Sequence, residues 1–329
     1  MLLIDDTRVA TGRQAQTAKA QVRDTVHMRS SLKSLLDGFI DYAGTFPPAG
    51  LTVTQSFDNY LRYLRGPEQV IVSRFAISSK ALPELIEELD RRPTAPEVPI
   101  TVIGSGSQDL DSWHDALETD AGLMTEFVNE AGERAAIEAY EVRIPSNDLI
   151  ETCVRDMKAF DQVDAFLELP WGPGMTDSLA VIAQSEWLAA KARTGGATLD
   201  AYPSTASVAT FIHGCAALEL SFKLTAGLHH ALPKIDRETG AKAQGFLNVL
   251  AACGFALVHD LTTSELANVL TSHSAEDWRF GDAGLSWKGI DLTLEDIDDS
   301  RGIFWSIGSC SVEEALNDLD ALGLIAGGR

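Results

Sequence analysis

Eight short strand-like runs, alternating with amphipathic helical runs between residues 31 and 329, predict a single (β/α)8 barrel of the TIM type. Three observations carry this. Most runs rich in β-branched and aromatic residues are followed by a turn signal and a helical pattern, which implies right-handed βαβ units and a parallel sheet. Eight such strands in one chain favour closure into a barrel over an open sheet. The GxGxxG turn that usually follows the first strand of an open doubly wound sheet is absent, because GSGS at Gly104–Ser107 is too short.

The strands read as Gly38–Tyr42, Val70–Ile77, Ile100–Ile103, Ala136–Val142, Ala165–Leu169, Leu188–Arg193, Leu220–Thr225 and Ile303–Ile307. Helical patterns follow at Ser79–Leu89, Ser146–Phe160, Pro203–Ala217 and Ser311–Leu322, the last with a capping box in Ser311 and Glu314. Residues 1–30 are polar and only weakly periodic, so they read as an N-terminal arm that packs loosely or contacts another subunit. The interval 228–302 departs from the rhythm. It holds an apolar helical run at Phe246–Val258, a second helix at Ser264–Ser272 and a turn-rich stretch at Phe280–Leu292 that reads as a hairpin. An insertion of this length is expected to be a lid or a subunit contact, partly covering the active end of the barrel.

The chain carries 26 Lys and Arg against 48 Asp and Glu, a net charge of −22. Such a surface repels nucleic-acid phosphates and anionic lipid, so neither is an expected partner. Apolar residues make up 45% of the chain, as in an ordinary globular protein. No run approaches the roughly 18 to 20 apolar residues of a membrane span, and the N-terminus does not read as a signal peptide. Cys153, Cys215, Cys253 and Cys310 are widely spaced without a CxxC pair, as expected of reduced thiols in a cytoplasmic protein. The expected partner is a small molecule, with a homo-oligomer also open. An anionic substrate would need a local cationic pocket.

Catalytic residues of such barrels sit at the C-terminal ends of strands. That rule selects Asp41, Arg74, Glu138, Glu141, Glu168, Lys191, Arg193, Lys223, His229, His230 and Ser309. The strongest signal is a pair of related segments, Lys191-Ala192-Arg193-Thr194-Gly195-Gly196 and Lys223-Leu224-Thr225-Ala226-Gly227-Leu228-His229-His230. Period two puts Lys191 with Arg193, and Lys223 with Thr225, on one face of each strand. If that face is the interior, two lysines and an arginine converge, and a nearby cation with partial desolvation favours a neutral, nucleophilic amine. The alternatives are ion pairs with Glu168 or Glu138, or an outward register with the lysine stems lying under helices. Asp41 runs into a proline-fixed loop and could orient a lysine, bind a substrate hydroxyl or cap the turn. Arg74 could clamp a carboxylate or pair with Glu138.

The Lys-x-x-Thr-Gly and Lys-x-x-x-Gly segments on adjacent late strands resemble those of deoxyribose-phosphate aldolase and its class I aldolase relatives. The resemblance covers two short patches. It implies that Lys191 forms a Schiff base with a carbonyl substrate, that Lys223 lowers its pKa, and that no cofactor is needed. Gly308-Ser309 is similar to the Gly-Ser ending with which those enzymes bind phosphate. Thr194, Gly195, Thr225 and Gly227 would then line the anion site with Arg193 and Arg74. Arg193 stands where that family has a small residue, and the His229-His230 pair has no counterpart in it. The function expected is a lysine-dependent carbon–carbon lyase acting on a small anionic carbonyl compound. Two other readings stay open. One is a metal-dependent lyase or hydrolase that binds a divalent ion through His229 or His230 with Glu168 or Glu141. The other is a non-catalytic binding protein on a barrel frame.

Overall fold

The structure, a computed structural model, describes residues 27–326, so the expected arm falls almost wholly outside the described residues. The expected barrel is present and closed. Its strands are β1 (Ile40–Tyr42), β2 (Val72–Ser78), β3 (Val98–Ile103), β4 (Ala135–Arg143), β5 (Asp164–Glu168), β6 (Leu188–Arg193), β7 (Phe222–Thr225) and β8 (Phe304–Ser309). Each runs parallel to the next, and β8 closes on β1 through Ile307–Ile40, Gly308–Asp41 and Ser309–Tyr42.

In chain order the helices are α1 (Ser30–Leu36), α2 (Val53–Tyr63), α3 (Leu82–Arg91), α4 (Leu110–Ala131), α5 (Ile150–Asp156), α6 (Met175–Ile182), α7 (Thr205–Ala217), α8 (Phe246–Val258), α9 (Thr263–Thr271), α10 (Leu294–Ile303) and α11 (Glu313–Ala321). Their apolar spacing explains how they dock. In α3, Leu82, Leu85, Ile86 and Leu89 are buried at i, i+3, i+4 and i+7. In α2, a capping box of Thr52 and Gln55 fixes the first turn, and Phe57 and Tyr60 meet Phe75 of β2 at ring separations of 5.6 and 5.4 Å. Each fully buried aromatic contributes about 1.5–3 kcal/mol from apolar burial. No helix among the described residues is long and apolar enough to cross a membrane, and none of the four cysteines is paired.

The interval after β7 differs from the expected lid. Only the small hairpin of Lys234–Ile235 with Lys242–Ala243 follows the C-terminal end of β7 closely. The chain then enters α8, every residue of which from Phe246 to Phe255 is buried. A helix apolar on all sides needs cover on its outer face too, and α9 and α10 supply it. The predicted hairpin is a three-stranded antiparallel sheet of Trp278–Phe280, Gly284–Trp287 and Ile290–Thr293. It packs on α1, where Ser31 and Gly281 exchange hydrogen bonds of 3.1 Å. Because α1 leads directly into β1 and α10 directly into β8, this unit lies at the N-terminal end of the barrel, opposite the expected active end. The same α10 delays the last strand, which starts at Phe304 and runs to Ser309.

The barrel interior has two kinds of filling. Ala139, Phe166 and Ala189 form a small apolar cluster against Trp305, separate from the core between sheet and helices. Above and around it lies a layer of charged side chains. Three β-bulges flank that layer: Ser73 and Arg74 together oppose Asp41, Glu138 is an extra residue opposite β3, and Trp305 with Ser306 oppose Lys223. A bulge breaks the two-residue alternation, so consecutive residues can both serve the interior.

Candidate functional site

The interior register places Lys191 of β6 beside Lys223 of β7 and beside Glu168 of β5. Both lysines point inward, where they are 3% and 1% exposed. The outward register considered for them is therefore not adopted. Lys191 Nζ lies 2.5 Å from Glu141 Oε2 and 2.9 Å from Glu168 Oε2. Lys223 Nζ lies 2.5 Å from Glu141 Oε1 and bonds Asp41 Oδ2. Glu141 is thus the hub, with one carboxylate oxygen for each lysine, in the chain of ion pairs Glu168–Lys191–Glu141–Lys223–Asp41.

Asp41 is fully buried and receives further hydrogen bonds, from Thr101 Oγ1 at 3.0 Å, Ser306 Oγ at 3.1 Å and the Arg74 backbone N–H at 3.3 Å. Its role is to hold Lys223, one of the options open from its strand position. Arg74 lies 3.6 Å from Asp41 and 2.8 Å from Glu138, with its guanidinium 5.0 Å above the Trp305 ring. It is a structural cation between two carboxylates, not a free clamp for substrate. The Lys223 ammonium also sits 5.0 Å over the face of Phe166, a cation–π contact with the apolar cluster.

The electrostatics follow from burial and these neighbours. Burial raises the Asp41 and Glu141 carboxyls, but Lys223 and Arg74 at the first, and Lys191 and Lys223 at the second, outweigh it and leave both below the usual range. Burial lowers Lys191, but Glu141 and Glu168 outweigh it, so its ammonium is held above the ordinary lysine value. This reverses the expectation that Lys223 depresses Lys191. The shared carboxylate lies between them and screens one ammonium from the other.

The remaining candidates divide. Thr194 is buried and donates to Ala226 O at 2.5 Å, and Thr225 donates to Gly308 O at 3.4 Å, so both tie neighbouring strand ends together. A Cβ at Gly195 would stand 2.7 Å from Gly227 Cα, and Gly227 has a φ of +73°, so this glycine pair permits the close approach of the β6 and β7 ends. Ser309 Oγ donates to Ser311 O at 2.8 Å, and the first turn of α11 carries Glu313 and Glu314. The Gly308–Ser311 turn therefore meets an anion with like charge, unlike a phosphate cradle. His229 and His230 pair with Glu314 and Asp318 of α11, each at 3.1 Å, instead of joining Glu168. Among the described residues no group of three or more His, Cys, Asp or Glu is arranged to hold a metal ion.

Arg193 is exposed at the end of β6, on the same face as Lys191, with its carbonyl fixed by Trp171 Nε1 at 2.5 Å. Arg143 ends β4, two residues beyond the inward Glu141 and in register with Glu168. Sequence reasoning missed Arg143, and also missed Glu141 as the hub, although period two links both to one face. A cleft of about 440 Å³ at this end is lined by Gly106, Ser107, Gln108, Arg143 and Pro145. A second cleft, about 600 Å³, lies outside the barrel near the ends of α2 and α3. Its Arg62, Arg91 and Arg92 are ion-paired with Glu313, Glu88 and Asp58 among others, and it holds no nucleophile.

No family model matches the chain, and no curated protein matches it. Among solved structures it is similar to a muconate lactonizing enzyme from Klebsiella pneumoniae, with 15% identity and a TM-score of 0.28 over 67% of this chain. The chain spans 62% of the length of that enzyme. The barrel is therefore established by its own closed strand pairing.

Proposed function

We propose that this barrel is a lysine-dependent carbon–carbon lyase, acting through a Schiff base on a small anionic carbonyl compound, with Lys191 as nucleophile. One observation carries the reading: two buried lysines on β6 and β7 share a single carboxylate inside the barrel. Burying an ion costs several kcal/mol, and apolar residues of similar volume commonly stabilise a core as well or better. Perturbed ionisable groups concentrate at functional sites for this reason.

Lys191 starts as an ammonium. Transfer of one proton to Glu168 leaves a neutral amine beside a neutral carboxylic acid. The amine adds to the substrate carbonyl, and the carbinolamine loses water by taking that proton back, which leaves a protonated imine. The iminium draws the electron pair of the bond between the α- and β-carbons as that bond breaks, Glu168 takes the β-hydroxyl proton, and a carbonyl fragment departs. The remaining enamine takes that proton at its α-carbon and is hydrolysed, which restores the amine. Lys223, fixed by Asp41, holds the shared Glu141 beside the amine.

Borohydride trapping with small aldehydes and keto acids tests this. A reduced adduct on Lys191, located by peptide mass mapping and lost in Lys191→Met, is the expected result. No adduct on either lysine with any probe, in folded protein, overturns it. That outcome supports the reading of a non-catalytic barrel, which one observation favours: every lysine of the network is already saturated by carboxylates.

A further inference from the structure

We propose that Arg143 and Arg193 form a two-guanidinium subsite at the mouth of the barrel that binds an anionic oxyacid group, a phosphate or a carboxylate, of the substrate. This names the substrate class of the site above and in that respect rests on the lysine reading. The argument starts from charge. In a chain of net charge −22, arginines are readily claimed by carboxylates, as Arg62, Arg74, Arg91, Arg92 and Arg134 are. Among the described residues Arg143 and Arg193 have no carboxylate within ion-pair distance; Arg65, Arg237 and Arg279 have none either, but they lie away from the barrel strands. Both end barrel strands, and both lie two residues beyond a side chain of the buried network, Glu141 and Lys191.

Their placement is complementary. Arg143 is in register with Glu168, and Glu168 with Lys191, so the two arginines stand on the strands either side of β5. Two strand spacings and a two-residue rise put their Cα atoms roughly 12 Å apart. That span lets two arginine side chains close on one small anion. Arg143 also lines the cleft of about 440 Å³ with Ser107 and Gln108, a volume in the range of small-molecule sites. A planar guanidinium matches carboxylate and phosphate oxygens in pairs, and two of them neutralise a dianion. The anion is held at the mouth, and the rest of the substrate reaches toward Lys191.

Calorimetric titration of the full-length protein at low salt, with inorganic phosphate in one arm and succinate in the other, tests the inference. Binding of at least one anion is expected, weakened tenfold or more in both Arg143→Gln and Arg193→Gln and unchanged in Arg65→Gln, an exposed arginine of the outer cleft. The anion bound more tightly identifies a phosphorylated or a carboxylate substrate. Arg143→Lys, which keeps the charge but not the fork, is expected to recover only part of the affinity. No binding by the wild type, or binding by both mouth variants as tight as that of the wild type, overturns the subsite. The two proposals fail separately: anion binding without a borohydride adduct removes the lysine chemistry alone, and an adduct without anion binding removes the subsite alone.

Discussion

Replacing Glu141 by Gln probes the centre of the network, because this one side chain is bonded to both lysines. At an effective dielectric of about 20, two unit charges 2.5 Å apart attract by about 7 kcal/mol, and the 2.9 Å pair of Lys191 with Glu168 by about 6 kcal/mol. The variant removes the larger attraction and keeps the smaller. Lys191 stays buried, so its desolvation cost is unchanged while its support falls by about half. A neighbouring charge of this kind typically moves a pKa by about 1–3 units, so the Lys191 value falls by that much. Removing one partner of a buried pair costs about 3–5 kcal/mol. Here the cost sits near the lower end, because the amide retains an acceptor oxygen and Lys191 can shed its proton. Against a domain stability of about 5–15 kcal/mol, the variant remains folded. The assay is the rate of borohydride trapping across a pH series, on protein checked by urea melts. The midpoint is expected to move down by about 1–3 pH units, with tenfold or more faster trapping at pH 7.5. A midpoint equal to that of the wild type, in a folded variant, would show that Glu141 does not set the charge of Lys191.

Three further outcomes follow from the same geometry. Lys223→Met strands Asp41 and half of Glu141 without their ammonium, and urea melts at neutral pH should show a loss of about 3–5 kcal/mol. Stability against pH should fall at both extremes. Asp41 and Glu141 are held below their unfolded values, so their contribution is complete above about pH 4.3 and is lost as pH falls through the lowered folded values. Lys191 is held above its unfolded value, so its contribution is complete below about pH 10.4 and is lost as pH rises through the raised one, as urea melts over that range would register. Gly195→Ala sets a methyl 2.7 Å from Gly227 Cα and 2.9 Å from its nitrogen, backbone that cannot step aside. Overpacking of that kind costs about 1–3 kcal/mol, and thermal melts should register it.

The barrel was legible because its signal is repetitive: eight strands, most followed by a helical pattern, leave few topologies. Lys191, Lys223, Glu168 and Asp41 were legible for a related reason. A charge at the middle or end of an apolar run is conspicuous, and the barrel rule says which end matters. What period two could not supply was the inward turn of side chains at bulges. Ser306 and Arg74 reach Asp41 where β8 and β2 each carry one residue too many, and no local pattern in either run marks that extra residue. Glu141 was visible as a strand carboxylate, yet its position between two lysines depends on β4, β6 and β7 curving round one axis, a long-range property. The histidines are a different case. Adjacency to β7 suggested Glu168 as a partner, but His229 and His230 pair with Glu314 and Asp318 of α11, a contact between distant segments that no local pattern marks.

The two lysines are not equivalent, and the difference bears on which one can react. Lys223 is bound to Asp41, which Thr101, Ser306 and Arg74 also grip, and its ammonium rests on Phe166. Neutralising it would leave a fully buried carboxylate with one cation fewer and disturb the floor of the barrel. Lys191 has Glu168 as its second partner, at the very end of β5 and slightly more exposed than Asp41. A proton passed between these two leaves the Lys223–Asp41 pair intact, and the neutral pair it creates is cheaper to bury than the ionic one once substrate excludes water. Lys223 still spans Asp41 and Glu141 in that state, so the floor of the barrel is undisturbed while the amine reacts. On the proposed chemistry, Lys191 is therefore the nucleophile, and Lys223 with Asp41 fixes Glu141 beside it.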